Sequence, residues 1–210
     1  MITLYTWGTP NGRKLTIMME ELGVPYDLKP VNIGKDEQFQ PDFLKISPNN
    51  KIPAIVDHDA ADGPLSLFES GAIMIYLADK FGKFLPKSGN ERYTVLQWLM
   101  WQMGGLGPMF GQLGWFVVSA PQKDELAIGR YQKECERLLN VMEKRLGEAD
   151  YLGGEYSIAD MAVFPWIAQY RVRVKDYIEP MLAARPNIGK WFDRVSARAG
   201  VQAGMALPKT

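Results

Sequence analysis

The sequence predicts two domains of different class: an α/β domain over residues 1–80 and an all-helical domain over 90–210. Three observations carry this. Up to about residue 80, short β-like runs alternate with short helical patterns. Beyond 90 the apolar spacing is helical almost throughout. Between them FGKFLPKSG, residues 81–89, reads as a linker.

Ile2–Tyr5 is an apolar-rich run that reads as a buried strand. Thr9-Pro10 marks a helix start, because Thr caps and Pro suits the first turn. Leu15, Met18, Met19 and Leu22 then share one helix face, and Gly23 is the expected stop. Tyr26–Ile33 alternates and reads as a second strand, which makes a parallel βαβ unit. Pro41–Ile46 reads as one short helix. Ile52–Asp57 and Leu65–Phe68 read as a hairpin, and Glu69-Ser70 opens a third helix with Ile73 and Leu77 inward.

In the second domain, Arg92–Met103 reads as a helix that Gly104, Gly105, Gly107 and Pro108 kink or break. Ile128, Tyr131, Cys135, Leu138, Leu139, Met142 and Leu146 form one apolar stripe. Ser157–Asp160 is a capping box, with Tyr156 and Met161 placed as a hydrophobic staple. Ile188, Trp191, Phe192, Val195 and Ala199 form a last amphipathic helix, with Gly200 as its expected stop.

Composition narrows the function. At 210 residues about 70% of the unfolded surface can be buried, so no metal or disulfide staple is needed. Lys+Arg 24 balances Asp+Glu 24, against nucleic acid as main partner. No run of 18 apolar residues predicts a membrane span, and Met-Ile-Thr-Leu-Tyr-Thr lacks the basic flank of a signal peptide. One cysteine, Cys135, and one histidine, His58, fit a cytoplasmic protein and argue against a metal site, a CxxC dithiol enzyme or a Cys-His protease. The glycines of 104–114 lack the GxxxxGK[ST] pattern and follow a helix, so they do not read as a phosphate loop.

Four local features, in order across essentially the whole chain, resemble the cytosolic glutathione transferases. They are Thr9-Pro10-Asn11-Gly12-Arg13-Lys14 after the first strand, Asn49-Asn50-Lys51-Ile52-Pro53-Ala54, Leu67-Phe68-Glu69-Ser70-Gly71-Ala72-Ile73, and the capping box after Tyr151-Leu152-Gly153-Gly154. The Thr-Pro-Asn stretch, Ser47–Ala54, and Gln97-Trp98 ahead of Gly104–Pro108 are more specifically similar to the bacterial nu class. That class is related to the yeast nitrogen-regulator prion protein and known for glutathione-dependent disulfide reduction. The resemblance implies a thioredoxin-like first domain that binds glutathione, and a homodimer.

It also implies site residues. Glu69 would pair with the γ-glutamyl ammonium, and Ser70, at a helix N-terminus, would meet the carboxylate. On the residues alone, the favoured reading is that Glu69 is an exposed strand end and Ser70 only a helix cap. Ile52-Pro53 would be cis, with Ile52 pairing antiparallel to the cysteinyl backbone; an ordinary trans bond is the alternative. Lys51 and Gln38 would donate to carboxylates, unless Lys51 is a solvated charge. Arg130 would reach the glutathione of a neighbouring subunit, unless it is a solvated helix-face residue. Met109, Phe110, Trp115 and Phe116 are either pocket or core.

Thr9 and Asn11 are the candidate catalytic residues. A free thiol of pKa about 8.5 is about 3% ionised at pH 7, and lowering it by about two units takes about 2.7 kcal/mol. A helix N-terminus offers about 0.3–2 kcal/mol. A hydrogen bond to a charged group offers about 1.5–3 kcal/mol. A donor from Thr9 or Asn11 plus the first helix therefore suffices without a base, though Thr9 also reads as a pure cap. Tyr5 reads as core and Cys135 as inert. The expected activity is disulfide reduction by glutathione, the cosubstrate, with electrophile conjugation or peroxide reduction alongside and no metal. The competing expectation is a non-catalytic binding or regulatory protein of the same fold.

Overall fold

The structure, a computed structural model, describes residues 1–209. Two compact units divide it: residues 1–85 together with the chain from Ala197 onward, and residues 86–196. The boundary falls inside the stretch read as a linker, and the chain beyond Ser196 packs with the first unit.

The first unit holds a four-stranded sheet in the order β2-β1-β3-β4: β1 (Ile2–Thr6), β2 (Tyr26–Pro30), β3 (Ala54–Asp57) and β4 (Leu65–Phe68). β1 pairs parallel with β2 and antiparallel with β3, and β3 pairs antiparallel with β4. Helix α1 (Pro10–Leu22) links β1 to β2. Thr9 caps it by accepting from the Gly12 N–H at 3.2 Å, and Gly23 ends it in the left-handed region (φ 69°). β2 is shorter than the alternation predicts. Val31 turns inward to donate to the Thr6 carbonyl, and a 3-10 turn follows at Ile33–Lys35. A second 3-10 turn, Glu37–Phe39, leads into α2 (Pro41–Leu44). Helix α3 (Ser70–Phe81) follows β4 and packs on α1. Buried Asp57 of β3 accepts from Tyr76 and Lys80, which ties α3 to the sheet.

The second unit consists of α4 (Gly89–Trp101), α5 (Gly107–Gly114), α6 (Glu125–Leu146), α7 (Ile158–Arg173), α8 (Lys175–Ala183) and α9 (Pro186–Ser196). At the glycines, where a kink or break is expected, the α-helix is interrupted but the chain stays helical. Gln102–Leu106 and Trp115–Ser119 are π-helical turns, so the helix widens and continues through α5. Gly107 permits this, since a Cβ there would lie 2.6 Å from the Gln102 side-chain nitrogen. On α6 the predicted stripe is buried, apart from half-buried Tyr131, which stacks on Phe116.

At the head of α7, Asp160 is fully buried. It accepts from Leu152 N (3.0 Å), Ser157 N (3.1 Å), Ser157 Oγ (3.2 Å) and Trp191 Nε1 (2.8 Å). Burial pushes its carboxyl up to about 6, while these four donors pull the other way. Tyr156 lies edge-on to Tyr151 at 5.6 Å.

The last predicted helix is two. α9 stops at Ser196, and Gly200 lies inside a new helix, α10 (Ala199–Met205), instead of ending the old one. α10 packs on α1 of the first unit. Gly204 makes the closest approach: a Cβ there would sit 2.4 Å from Ile17 Cα. Its carbonyl accepts from Thr16 Oγ1 at 2.7 Å, and Arg198 pairs with Glu21 at 2.8 Å.

Gly204→Val should therefore lift α10 off α1 and cost about 1–3 kcal/mol or more in urea unfolding. Asp160→Ala strands several buried donors and should cost at least about 3 kcal/mol in the same measurement.

Candidate active site

The strand register brings three distant segments to one edge of the sheet. Tyr5 of β1 stands beside Ala54 of β3, and Ala54 beside Phe68 of β4. β1 and β4 leave the sheet at that edge and β3 enters there. The turn 7–11, the dipeptide Ile52-Pro53 and the pair Glu69-Ser70 therefore converge. Ile52-Pro53 is cis, and so is Leu207-Pro208, which carried no sequence signal.

The first segment sets the mouth of α1. Thr9 and Asn11 are half-buried there. Thr9 Oγ accepts from Gly12 N, and a hydroxyl so engaged still has its own proton to donate. Gly12 is buried so tightly that a Cβ would lie 2.0 Å from the Trp7 carbonyl oxygen and 2.5 Å from Thr6 Oγ1.

In the second segment, Ile52 packs with Tyr5 and Ile46 on the cluster of Val31, Phe43 and Ala54. Ser47 Oγ donates to the Lys51 carbonyl at 2.9 Å, while the Lys51 side chain points to solvent. Gln38, on the 3-10 turn beyond β2, is half-buried. Its Nε2 lies 3.4 Å from Asp36, and its buried Oε1 has no hydrogen-bond partner.

The third segment is conformationally unusual. Glu69 has φ 72° and ψ 107°, a region that costs a non-glycine residue about 1–3 kcal/mol. It is the N-terminal cap of α3, its carbonyl accepting from Ile73 N, and its side chain is exposed. Ser70 next to it is buried. The first turn of α3 presents N–H groups for which the helix has no acceptor, together with the positive end of the dipole.

One residue of this site escaped the sequence reading. Lys14 is 1% exposed, and its Nζ lies 3.4 Å from Ser70 Oγ. Burial pushes its ammonium down to about 7, with Glu69 pulling upward. Its spacing, four residues ahead of Met18 on the inward side of α1, was the available signal. Arg13 beside it is half-buried, with an Nε that has no hydrogen-bond partner.

Arg130 belongs to the second unit, exposed on α6, in a depression lined also by Met109, Tyr131 and Glu134. The aromatic group divides: Phe110 is wholly buried against Tyr170, whereas Trp115 is exposed. Cys135 is buried and its thiol is pushed up to about 12 by desolvation. His58 Nε2 lies 3.0 Å from Thr3 Oγ1. Among the described residues no group of three His, Cys, Asp or Glu side chains is placed to hold a metal ion. Nor is any helix among them long and apolar enough to cross a membrane.

Residues 1–79 match the glutathione S-transferase N-terminal domain, and residues 125–194 its C-terminal domain. The chain is also 53% identical to the disulfide-bond oxidoreductase YfcG of Escherichia coli K12, over 100% of this chain and 95% of that protein. It belongs to the glutathione S-transferase family.

Among solved structures, a glutathione transferase family member from Pseudomonas fluorescens with two glutathione molecules bound matches with TM-score 0.94 and 46% identity. That match covers 99% of this chain and 93% of the other. A glutathione transferase from Pseudomonas putida, with one glutathione disulfide bound per subunit, matches with TM-score 0.94 and 42% identity, over 99% and 91%. The thioredoxin-like sheet with a helical domain is thus the transferase architecture.

Gly12→Ala should displace the turn 7–11. The expected loss is about 1–3 kcal/mol in chemical unfolding, since backbone and not a flexible tip blocks the new methyl group.

Proposed function

We propose that the chain is a glutathione-dependent disulfide reductase. The convergence of the α1 mouth, Ile52-Pro53 and Glu69-Ser70 on one sheet edge carries this reading. The 53% identity to YfcG and the glutathione and glutathione disulfide in neighbouring structures support it.

Each part of glutathione has a counterpart at that edge. The γ-glutamyl carboxylate meets Ser70 and the first turn of α3, and its ammonium meets Glu69. The cysteinyl backbone pairs with Ile52 as an added strand. Gln38 and Lys51 serve the remaining carboxylate. The sulfur then lies at the mouth of α1, where Thr9 or Asn11 donates a hydrogen bond to the thiolate and the helix dipole adds to it.

Buried Cys135, with its raised pKa, is unsuited to exchange, so both sulfurs are supplied by glutathione. A bound thiolate attacks one sulfur of the substrate disulfide, forming a mixed disulfide and expelling a thiolate, which takes a proton. A second glutathione thiolate attacks the glutathione sulfur of the mixed disulfide. Glutathione disulfide and a second substrate thiol result, so two glutathione thiols reduce one disulfide. Conjugation and peroxide reduction draw on the same thiolate. The working unit is a homodimer in which Arg130, exposed on α6, reaches the partner's glutathione.

The test is turnover of a small disulfide with glutathione, alongside calorimetric glutathione binding. Glu69→Ala should weaken binding at least tenfold, the factor for a lost charge pair of about 1.5 kcal/mol or more. Thr9→Ala and Asn11→Ala together should lower turnover more than binding. Cys135→Ala should leave turnover unchanged. Tight binding without turnover would instead favour a regulatory protein, and loss of activity in Cys135→Ala would overturn the thiol assignment.

A further inference from the structure

Arg13 is a charged side chain at the α1 mouth that the proposed chemistry leaves without a task. Apart from Arg13 and Arg130, every arginine of the chain donates to an acceptor in the protein. Arg130 is exposed, whereas Arg13 is half-buried, and its Nε is buried with no hydrogen-bond partner. An arginine on a helix surface ordinarily packs its stem and leaves its head in water. Here part of the head itself is out of water. Burial pushes the guanidinium down from its ordinary value, and no carboxylate offsets the shift.

The helix sets where this charge stands. Arg13 lies one turn after Thr9 on the same side of α1, and its N–H donates to the Thr9 carbonyl at 2.9 Å. Helix side chains lean toward the N-terminus. The guanidinium accordingly reaches back to the turn 7–11: a Cβ on Gly8 would lie 3.9 Å from Nη2. It stands beside the turn that also carries Thr9 and Asn11. In the reading above, both carboxylates of the bound glutathione are met elsewhere, one by Ser70 and the first turn of α3, the other by Gln38 and Lys51. The group left to approach this turn, beside the glutathione sulfur, is the molecule with which that sulfur reacts.

Resting on that reading, we propose that Arg13 is a specificity-determining residue that makes the site select acidic disulfides, those with a carboxylate on the arm next to the reacting sulfur. The exchange is the one already described: the bound thiolate attacks one sulfur, a mixed disulfide forms and a thiolate leaves. Arg13 pairs with the carboxylate of the incoming arm and offsets the repulsion between that anion and the thiolate. A guanidinium already stripped of part of its water gives up less hydration on pairing than a solvated one. The same charge disfavours an arm that carries an ammonium.

Three small disulfides of similar size read the selection: dithiodipropionate (anionic), bis(hydroxyethyl) disulfide (neutral) and cystamine (cationic). At saturating glutathione, kcat/KM for each reports the first exchange, and each value is divided by the uncatalysed rate with glutathione. The wild-type protein should favour dithiodipropionate over the neutral disulfide about tenfold, with cystamine last. Arg13→Gln should abolish that order. Arg13→Lys should recover part of it, because the charge is kept and the planar fork is lost. Salt at about 0.5 M should weaken the wild-type preference.

Equal normalised values for the three disulfides in the wild-type protein overturn the inference, a result that needs no variant. It is also overturned if Arg13→Gln slows all three by the same factor, the mark of a role in the fold or at the thiolate. A raised KM for glutathione in that variant, with the charge preference intact, assigns Arg13 to the second glutathione and overturns it too. Failure of the wild-type protein to turn over any of the three would overturn the reductase reading itself, and this inference with it.

Discussion

The register of β1, β3 and β4 is the constraint on which the candidate site depends. Tyr5, Ala54 and Phe68 stand in a row across three strands, so the chain leaves or enters the sheet three times at one edge. Ile2, Leu4 and Ile55 are buried, and a one-residue slip would turn each of them to the opposite face of the sheet, away from its packing partners. Segments about 40 and about 60 residues away from the first turn thereby become neighbours of it. No single segment is a site: one supplies a helix mouth, one a cis dipeptide, one a cap in a costly conformation.

This division of labour suits a protein with little reactive chemistry of its own. Its one thiol is buried and raised to about 12. Its one histidine is engaged with Thr3. In the proposed reaction the sulfur arrives with the tripeptide, and the protein contributes placement, hydrogen-bond donors and the field of two helix ends. Under the same proposal one Thr9 hydroxyl serves twice: its lone pairs cap α1, and its proton is left for the thiolate.

Much of this was legible in the sequence wherever a local signal had no tertiary competitor. Thr9-Pro10 and Gly23 bound α1 as expected, the α6 stripe is buried except for half-buried Tyr131, and Ser157 and Asp160 make both bonds of the capping box. Reading failed where packing overrode local preference. The glycines of 104–107 suggested a kink or break; the α-helix is interrupted there, but room for the Gln102 side chain lets it widen into a π turn and not end. Gly200 suggested a stop, yet it and Gly204 are small because another helix lies against them. Tyr26–Ile33 alternates past Pro30, but its partner strand β1 ends at Thr6, so the pairing stops there. Lys14 was hidden because its charge predicts solvent, whereas its spacing places it inward. At the site, residue types were readable from the resemblance, but the positive φ of Glu69 and the contact of Lys14 with Ser70 exist only in three dimensions.

The docking of α10 on α1 bears on how the polypeptide is made. Residues 1–85 leave a ribosome first, but the face of α1 around Thr16, Ile17 and Glu21 stays uncovered until residues 198–205 have emerged. The helical unit between them, 86–196, is complete before that. The order of synthesis is thus inverted in the order of completion: the segment translated first finishes last, and a nascent chain paused before residue 198 exposes apolar surface for chaperones to shield.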